Sequence, residues 1–406
     1  MKRVVITGLG CISPLGIGVD SLMSGLAENR NAVQKMEGWE IYQNLRSLVG
    51  APAPLENEKE IPRKQRRSMG RMSIFAAQAA KQAQLDSGLD AEMVQGDRCG
   101  CVTGSTMGSA GSINETFEIM LPDRDLSLLN STKFFQCVAH TTAMNVSQYL
   151  GIRGMVLSTA AACASGLQAI GTAADLIRFG RQDVVFCGGA EELHPTVTGS
   201  FDILYATSTH HNDSPKQTPR PFDKNRDGLV CGEGAGVLVL EEFEHAKARG
   251  AKIYGEVSGY YTCASGSHIS QSDSDSMTRC MRAALSEAKM NPEQIDYISA
   301  HATATEHGDV KEAEAIRTVF GGNTPVSSLK GNLAHTLGAS GAIELIASLK
   351  MMEQGVLYPT HNLAEIDPAC AGIEHLTEAR ETPVNAFLKN SFAFGGINAA
   401  LVCRKV

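Results

Sequence analysis

The sequence predicts an α/β protein built from two similar halves, and three observations carry that reading. Short apolar, β-branched runs alternate with helical stretches along the whole chain. Glycine is abundant at 40 residues while aromatics make up 5%, the balance of a tightly packed chain with many close backbone approaches. One order of elements is then read twice: strand, helix, strand, strand-turn-helix, strand with Gly-Gly, strand. With 406 residues and 43% hydrophobic content the chain can bury a large core in two linked halves, 1–245 and 246–406, with a site between them.

Residues 3–7 read as the first strand, 8–16 as a glycine-rich turn and 19–29 as a helix. The strongly basic stretch 63–71 leads into a helical run through Leu85. A short strand at 99–103 precedes small, flexible residues 104–111, and helical pattern returns at 139–150. The stretch 155–180 organises the rest. It opens apolar and β-branched, passes through small residues at 158–166 where backbone turns sharply, and continues as an apolar helix ending at Arg178-Phe179-Gly180. Cys163 falls where strand gives way to helix, and free N–H groups at a helix start favour thiolate. Residues 183–187 form a strand ending in Gly188-Gly189-Ala190, 206–226 a long polar, proline-bearing ordered loop, and 237–241 the next strand. In the second half, strands are expected at 253–259, 295–300, 326–329, 387–391 and 399–403, and helices at 277–289 and 338–353. The central cysteine turn then corresponds to the turn 330–335, and Gly188-Gly189 to Gly395-Gly396. Gly232-Glu233-Gly234-Ala235-Gly236 mimics a dinucleotide fingerprint, but a strand-like run follows it where a fingerprint opens a helix.

The net charge of −8 argues against general nucleic-acid binding, so an acidic partner needs a local basic patch, and residues 63–67 supply one. Eleven cysteines without regular spacing read as reduced thiols of a cytoplasmic protein. No signal peptide is read at the start, and no apolar run is long enough to span a membrane.

Four post-strand turns carry Cys163, His301, His335 and the loop Phe394-Gly395-Gly396. A thiolate nucleophile takes an acyl group from a thioester, and two neutral imidazoles donate hydrogen bonds to an enolate as it forms. Backbone N–H groups at Cys163 and Phe394 are candidates for an oxyanion hole. Lys330, five residues before His335, is either a bias on local protonation or a solvated surface lysine.

Here the chain resembles a family, nearly end to end. The motifs are Ala162-Cys163-Ala164-Ser165-Gly166; residues 220–228 with 232–236; His301-Ala302-Thr303-Ala304-Thr305 with Gly308-Asp309; residues 330–335; and residues 390–398. They are similar to those of the β-ketoacyl–acyl-carrier-protein synthases of the type I/II elongating class, in the thiolase-like superfamily. The resemblance implies an α/β thiolase-like fold, with two similar halves in a five-layered αβαβα arrangement. It implies a Cys163-His301-His335 triad with Lys330 as active-site lysine. Phe394 becomes a mobile gate, with Ala393 and Gly395 beside the substrate, and Thr303 and Thr305 hold the phosphopantetheine arm. Asp309 and Glu312 become structural acids, and Lys64 and Arg67 the docking site for acyl-carrier protein. The small stretch 104–111 is expected to join the pocket wall. The chain departs from the family at Ala302 and Ala393, where glycine is usual, at Ile397, where threonine is usual, and at Glu306-His307, where the pair usually contains proline.

The implied activity is that of a 3-oxoacyl-acyl-carrier-protein synthase, an acyltransferase. It performs a decarboxylating Claisen condensation of an acyl-enzyme with malonyl-acyl-carrier protein in fatty-acid elongation, with no metal or organic cofactor. The alternative is a ketosynthase of a type II polyketide or aryl-polyene pathway. Acyl-carrier protein is the expected partner, in a homodimer or a heterodimer with a chain-length factor. A thiolase would need a late second cysteine in a glycine-rich setting, which Cys370 and Cys403 lack. A non-catalytic chain-length factor usually lacks the nucleophile that Cys163 supplies.

Overall fold

The structure, a computed structural model, describes residues 1–267, 269 and 271–406. Its strands confirm the duplication in their order. In the first half Val4–Ser13, Gly234–Glu242, Val184–Glu191, Cys99–Gly104 and Val156–Thr159 lie side by side. In the second half Gly255–Ala264, Ile397–Arg404, Ala386–Phe392, Tyr297–Ser299 and Pro325–Ser327 do the same. Counting these main strands along the chain, both halves have the spatial order first, fifth, fourth, second, third. Both have the fourth, second and third strands parallel and the first and fifth antiparallel. The halves join where Val5 and Ile6 pair with Glu256 and Gly255, giving one continuous sheet path.

Five layers follow from the packing. Helices Arg71–Ser87 and Thr141–Leu150 cover the outer face of the first half's strands. Helices Ser274–Ala288 and Glu306–Phe320 cover the second half's outer side. Between them lie Ser165–Arg178 and Ser340–Gln354, which pack on each other and on strands of both halves. A helix buried on all sides has no polar face to show, and Ser340–Gln354 is apolar almost throughout, with Glu344 a buried exception.

Two glycine expectations are corrected, for one reason. The expected turn at 8–16 is mostly strand, Val4–Ser13, because its glycines serve close approach: a Cβ on Gly10 would lie 1.9 Å from the Ala79 carbonyl oxygen of the covering helix. Gly188 and Gly189 lie inside the strand Val184–Glu191 and not in a turn like Gly395-Gly396. A Cβ on Gly189 would lie 2.1 Å from Gly338 O, so the two central connections could not meet there. Gly234 and Gly236 are likewise strand residues, in agreement with the rejected dinucleotide reading. Helices Ala110–Met120, Ser131–Cys137, Pro195–Asp202 and Glu306–Phe320 were not anticipated, and the turn at 330–335 contains the short helix Lys330–Leu333.

Candidate active site

Cys163 follows the third strand of the first half and His335 the third strand of the second, so the duplication places them at equivalent connections. Each is preceded by an alanine in the left-handed region: Ala162 has φ 47° and Ala334 φ 57°. That conformation costs a non-glycine residue roughly 1–3 kcal/mol and is held by its surroundings. At the cysteine the holder is Ser165, whose Oγ accepts from Ala161 N–H at 2.8 Å and lies 2.6 Å from the Ala162 carbonyl oxygen. At the histidine it is the first half: His335 N–H donates to Val230 O at 2.8 Å and Gly232 N–H to His335 O at 2.9 Å. His301 follows the second strand of the second half, a connection different in kind from the other two.

These connections converge. His335 Nε2 is 2.9 Å from Cys163 Sγ, and the His301 and His335 rings stand edge to face with centroids 5.2 Å apart. All three side chains are buried. Sγ and a nitrogen of each ring lie within 4.8 Å of one another, which is also a possible metal-donor set. The shortest separation, however, is that of a hydrogen bond, whereas two ligands of one tetrahedral zinc lie about 3.6 Å apart given ordinary Zn–S and Zn–N lengths.

Burial sets the charge states. It pushes the Cys163 thiol up to about 12, against which Lys330 pulls down. The expectation that the helix start favours thiolate is therefore corrected: desolvation outweighs it, and the resting cysteine is a thiol. Both imidazoles are held well below the ordinary histidine value, by burial first and then by the charge of Lys330. They are neutral across the physiological range, which is the form that donates one N–H and accepts at the other nitrogen.

Lys330 is not a surface lysine. It is fully buried, with Nζ 2.7 Å from Glu344 Oε1. Glu344 also holds Lys389, whose Nζ lies 2.6 Å from Oε2. Sequence reasoning missed both partners, although a lysine inside the strand Ala386–Phe392 and a glutamate inside an apolar helix were visible signals.

The expected structural acids hold backbone. Glu312 accepts from His301 N–H at 2.8 Å and Ala302 N–H at 2.6 Å, and Asn390 donates to it at 3.1 Å. Asp309 accepts from Phe222 N–H at 2.7 Å and Ala304 N–H at 3.1 Å, and burial pushes its carboxyl up to about 7. Thr303 and Thr305, 3.2 Å apart at their hydroxyls, flank Ala304.

A cavity opens onto Cys163, His301 and His335, and Thr303, Thr305, Ala393 and Phe394 line it. The Phe394 ring packs 6.0 Å from Phe201, centroid to centroid. Gly395 and Gly396 turn the loop with φ of 89° and 74°. Gly395 N–H is engaged by Ile269 O at 2.7 Å, whereas Phe394 N–H meets no acceptor among the described residues. The stretch 104–111 does not line this cavity. It supports the cysteine from behind, since the Ser105 carbonyl accepts from Ser165 Oγ at 3.1 Å. Lys64 and Arg67 lie apart from the cavity lining, exposed on and just after the short helix Arg63–Arg66.

Glu191 is a fully buried acid that sequence reasoning also missed. Its Oε2 accepts from Thr106 N–H at 2.7 Å and Gly338 N–H at 3.0 Å, while Oε1 has no partner among the described residues. Burial pushes its carboxyl up from 4.5 to about 7. A raised folded-state value means that the stabilising contribution is complete below about pH 4.5 and lost as pH rises through about 7. Glu191→Gln is thus expected to stabilise the fold by up to about 3 kcal/mol near pH 8 and to change little near pH 4.5. Denaturant titrations at the two pH values check the sign.

Two family models match the chain: "Beta-ketoacyl synthase, N-terminal domain" over residues 1–246 and "Beta-ketoacyl synthase, C-terminal domain" over residues 254–364. The chain is 36% identical to 3-oxoacyl-[acyl-carrier-protein] synthase 1 of Haemophilus influenzae, over all of this chain and 99% of that one. The crystal structure of a beta-ketoacyl synthase from Burkholderia phymatum superposes with TM-score 0.97 at 44% identity, covering both chains completely. AntDE:AntF, a type II polyketide synthase acyl-carrier protein in complex with its ketosynthase bound to the hexaketide, matches with TM-score 0.92 at 31% identity, over all of this chain and 99% of that one. With the matched domains spanning most of the chain and relatives matched end to end, the chain belongs to the β-ketoacyl synthase family.

Proposed function

We propose that the chain condenses an acyl-enzyme thioester on Cys163 with malonyl-acyl-carrier protein, giving 3-oxoacyl-carrier protein and carbon dioxide, in fatty-acid elongation. The observation that carries this reading is the meeting of one buried thiol with two neutral imidazoles at the end of one cavity. In the first step the Cys163 S–H exchanges with the donor thioester, so the acyl group moves to Sγ and the proton ends on the carrier's sulfur. Malonyl-carrier protein then enters along Thr303 and Thr305. Loss of carbon dioxide leaves an enolate, whose oxygen accepts hydrogen bonds from His301 and His335 in their Nε2–H forms. The enolate carbon attacks the Cys163 thioester, and the oxyanion that develops is taken by the N–H groups of Cys163 and Phe394. That attack forms the carbon–carbon bond; collapse of the oxyanion re-forms the carbonyl, breaks the bond from the acyl carbon to Cys163 Sγ and expels the thiolate, which takes up a proton from solvent. Lys330 supplies positive charge beside both rings, and Asp309 and Glu312 fix the backbone that carries His301. The first half, 1–245, thus provides the nucleophile and the second, 246–406, the enolate donors. The reaction as written calls for no metal or organic cofactor.

The 36% identity to an elongating synthase favours this reading over the polyketide one, which the 31% neighbour represents. A cytoplasmic setting fits the eleven free cysteines, and among the described residues no helix is long and apolar enough to cross a membrane. Pairing of two chains is supported by the strand Val156–Thr159. It ends the sheet with Val156 and Leu157 exposed, and unpaired edges of this kind are otherwise blunted or covered. Exposed Phe117 and Leu121, on and just after helix Ala110–Met120, and Phe134 and Phe135 on helix Ser131–Cys137 add apolar area for a homodimer or for a chain-length-factor partner.

The test is intact-mass analysis of carrier-bound products. An acyl-enzyme at Cys163 and a carrier product longer by two carbons, with an added oxo group, are expected; release of free acid overturns the reading. In the same assay, charge reversal of Lys64 and Arg67 is expected to raise KM roughly tenfold for carrier-bound donors through lost steering. A small thioester should react as before. Equal loss with both donors rejects docking at that patch.

A further inference from the structure

The cluster behind the two histidines holds a second buried lysine beside the expected active-site one, and the two share a single carboxylate. Lys389 occupies the middle of the strand Ala386–Phe392, pairing with Leu401 on one side and Ser299 on the other. It is fully buried, and its ammonium has two partners: Glu344 Oε2 at 2.6 Å and the Asn390 carbonyl oxygen at 2.6 Å. Glu344 is shared with Lys330, so one carboxylate stands between two buried ammonium groups. Counting unit charges, the three side chains carry a surplus of one positive charge, in a place where burial makes uncompensated charge expensive. The next residue points the other way and completes the wiring. Asn390 donates to Glu312, which in turn accepts the His301 backbone N–H.

We propose that Lys389 is a positioning residue for the decarboxylation step: together with Lys330 it surrounds Glu344 with positive charge, and the surplus keeps both imidazoles neutral and favours the enolate they bind. The proposal deepens the function given above and rests on it. The charged and titratable groups that face Lys389 are Glu344 from helix Ser340–Gln354, Lys330 from Lys330–Leu333 and Glu312 from Glu306–Phe320. Buried Tyr297, on the adjacent strand, also senses Glu344. After burial and Lys330, the charge of Lys389 further lowers both His301 and His335. Burial draws the Lys389 ammonium itself down to about 8, Glu344 opposing and Lys330 adding to the fall. The surplus charge is therefore present below that pH and lost above it.

The experiment is the pH profile of carbon dioxide release from malonyl-carrier protein for wild type, Lys389→Met and Lys389→Arg, with Lys330 intact throughout. Wild type is expected to decline as pH rises through about 8. Lys389→Met is expected to lose that decline, to run roughly tenfold slower on the plateau, and to move its acid limb up by about one pH unit. Lys389→Arg keeps the charge at every working pH, so it should hold the wild-type plateau without the alkaline decline. A merely structural lysine would lower the folded fraction and leave the shape of the profile alone. A Lys389→Met profile that superimposes on wild type after correction for folded protein overturns the proposal. If that variant fails to fold, an unchanged alkaline decline in Lys389→Arg overturns it instead. A wild type that releases no carbon dioxide at all rejects the function reading itself, and this proposal with it.

Discussion

Replacing Cys163 by alanine abolishes acyl-enzyme formation and condensation, while carbon dioxide release from malonyl-carrier protein continues within about tenfold of wild type, a barrier change under about 1.4 kcal/mol. The expectation follows from the division of labour across the two halves. Only Sγ holds the growing chain covalently, so its removal leaves nothing for the enolate to attack. The groups that stabilise the enolate are elsewhere. His301 is fixed through its backbone by Glu312, and His335 through its backbone by Val230 and Gly232. Alanine removes the atom 2.9 Å from His335 Nε2 and leaves both imidazoles in place. Freed from the thiol, that nitrogen faces the cavity. A hydrolase built on a Cys-His pair gives a different pattern: the alanine variant is dead in every assay, and wild type releases free acid. Acyl-enzyme mass and carbon dioxide release, measured side by side on folded Cys163→Ala, decide between them. A decarboxylation rate no faster than buffer sinks the independence of the histidines.

Much of this arrangement was legible in the sequence because chemistry and local geometry coincide there. A cysteine among small residues between a β-branched run and an apolar helix marks a sharp turn whatever surrounds it, and Ala162 at φ 47° is that turn. The duplicated element order pointed to Cys163 and His335 at equivalent connections, and the strand orders agree. What sequence could not give depends on packing between distant segments. Gly10, Gly188 and Gly189 look like turn glycines, yet each admits a backbone contact that no neighbouring residue announces. The thiol's state was misjudged because the helix start is local while burial is a property of the whole core. Lys389 and Glu344 were overlooked because each is odd only in its own element. Their meaning appears once a strand and a helix some forty-five positions apart are brought to hydrogen-bond distance.

His335→Ala reverses the cysteine result: decarboxylation falls by roughly 10²-fold or more, as when one preorganised donor to a developing oxyanion is removed, while some acyl chain still loads onto Cys163. The loss is expected to exceed the energy of one ordinary hydrogen bond because the ring is buried, neutral and oriented before substrate arrives, so no reorganisation offsets it. Loading survives because the thiol and its serine-braced turn remain, although the polar atom nearest its proton is gone. His301→Ala is expected to match it in decarboxylation and to load more readily, since the hydrogen bond to Sγ belongs to His335. The pH dependence separates donors from bases. Both rings are held well below the ordinary histidine value, so they stay neutral as pH falls through 6.5, and wild-type decarboxylation should show no acid limb there. An imidazole acting only as a base with an ordinary value would give that limb. Carbon dioxide release and acyl-enzyme mass for both variants, together with the wild-type profile on the acid side, test the assignment. Equal loss of loading and decarboxylation in His335→Ala, with the fold intact, would show that the two half-reactions are not divided as drawn.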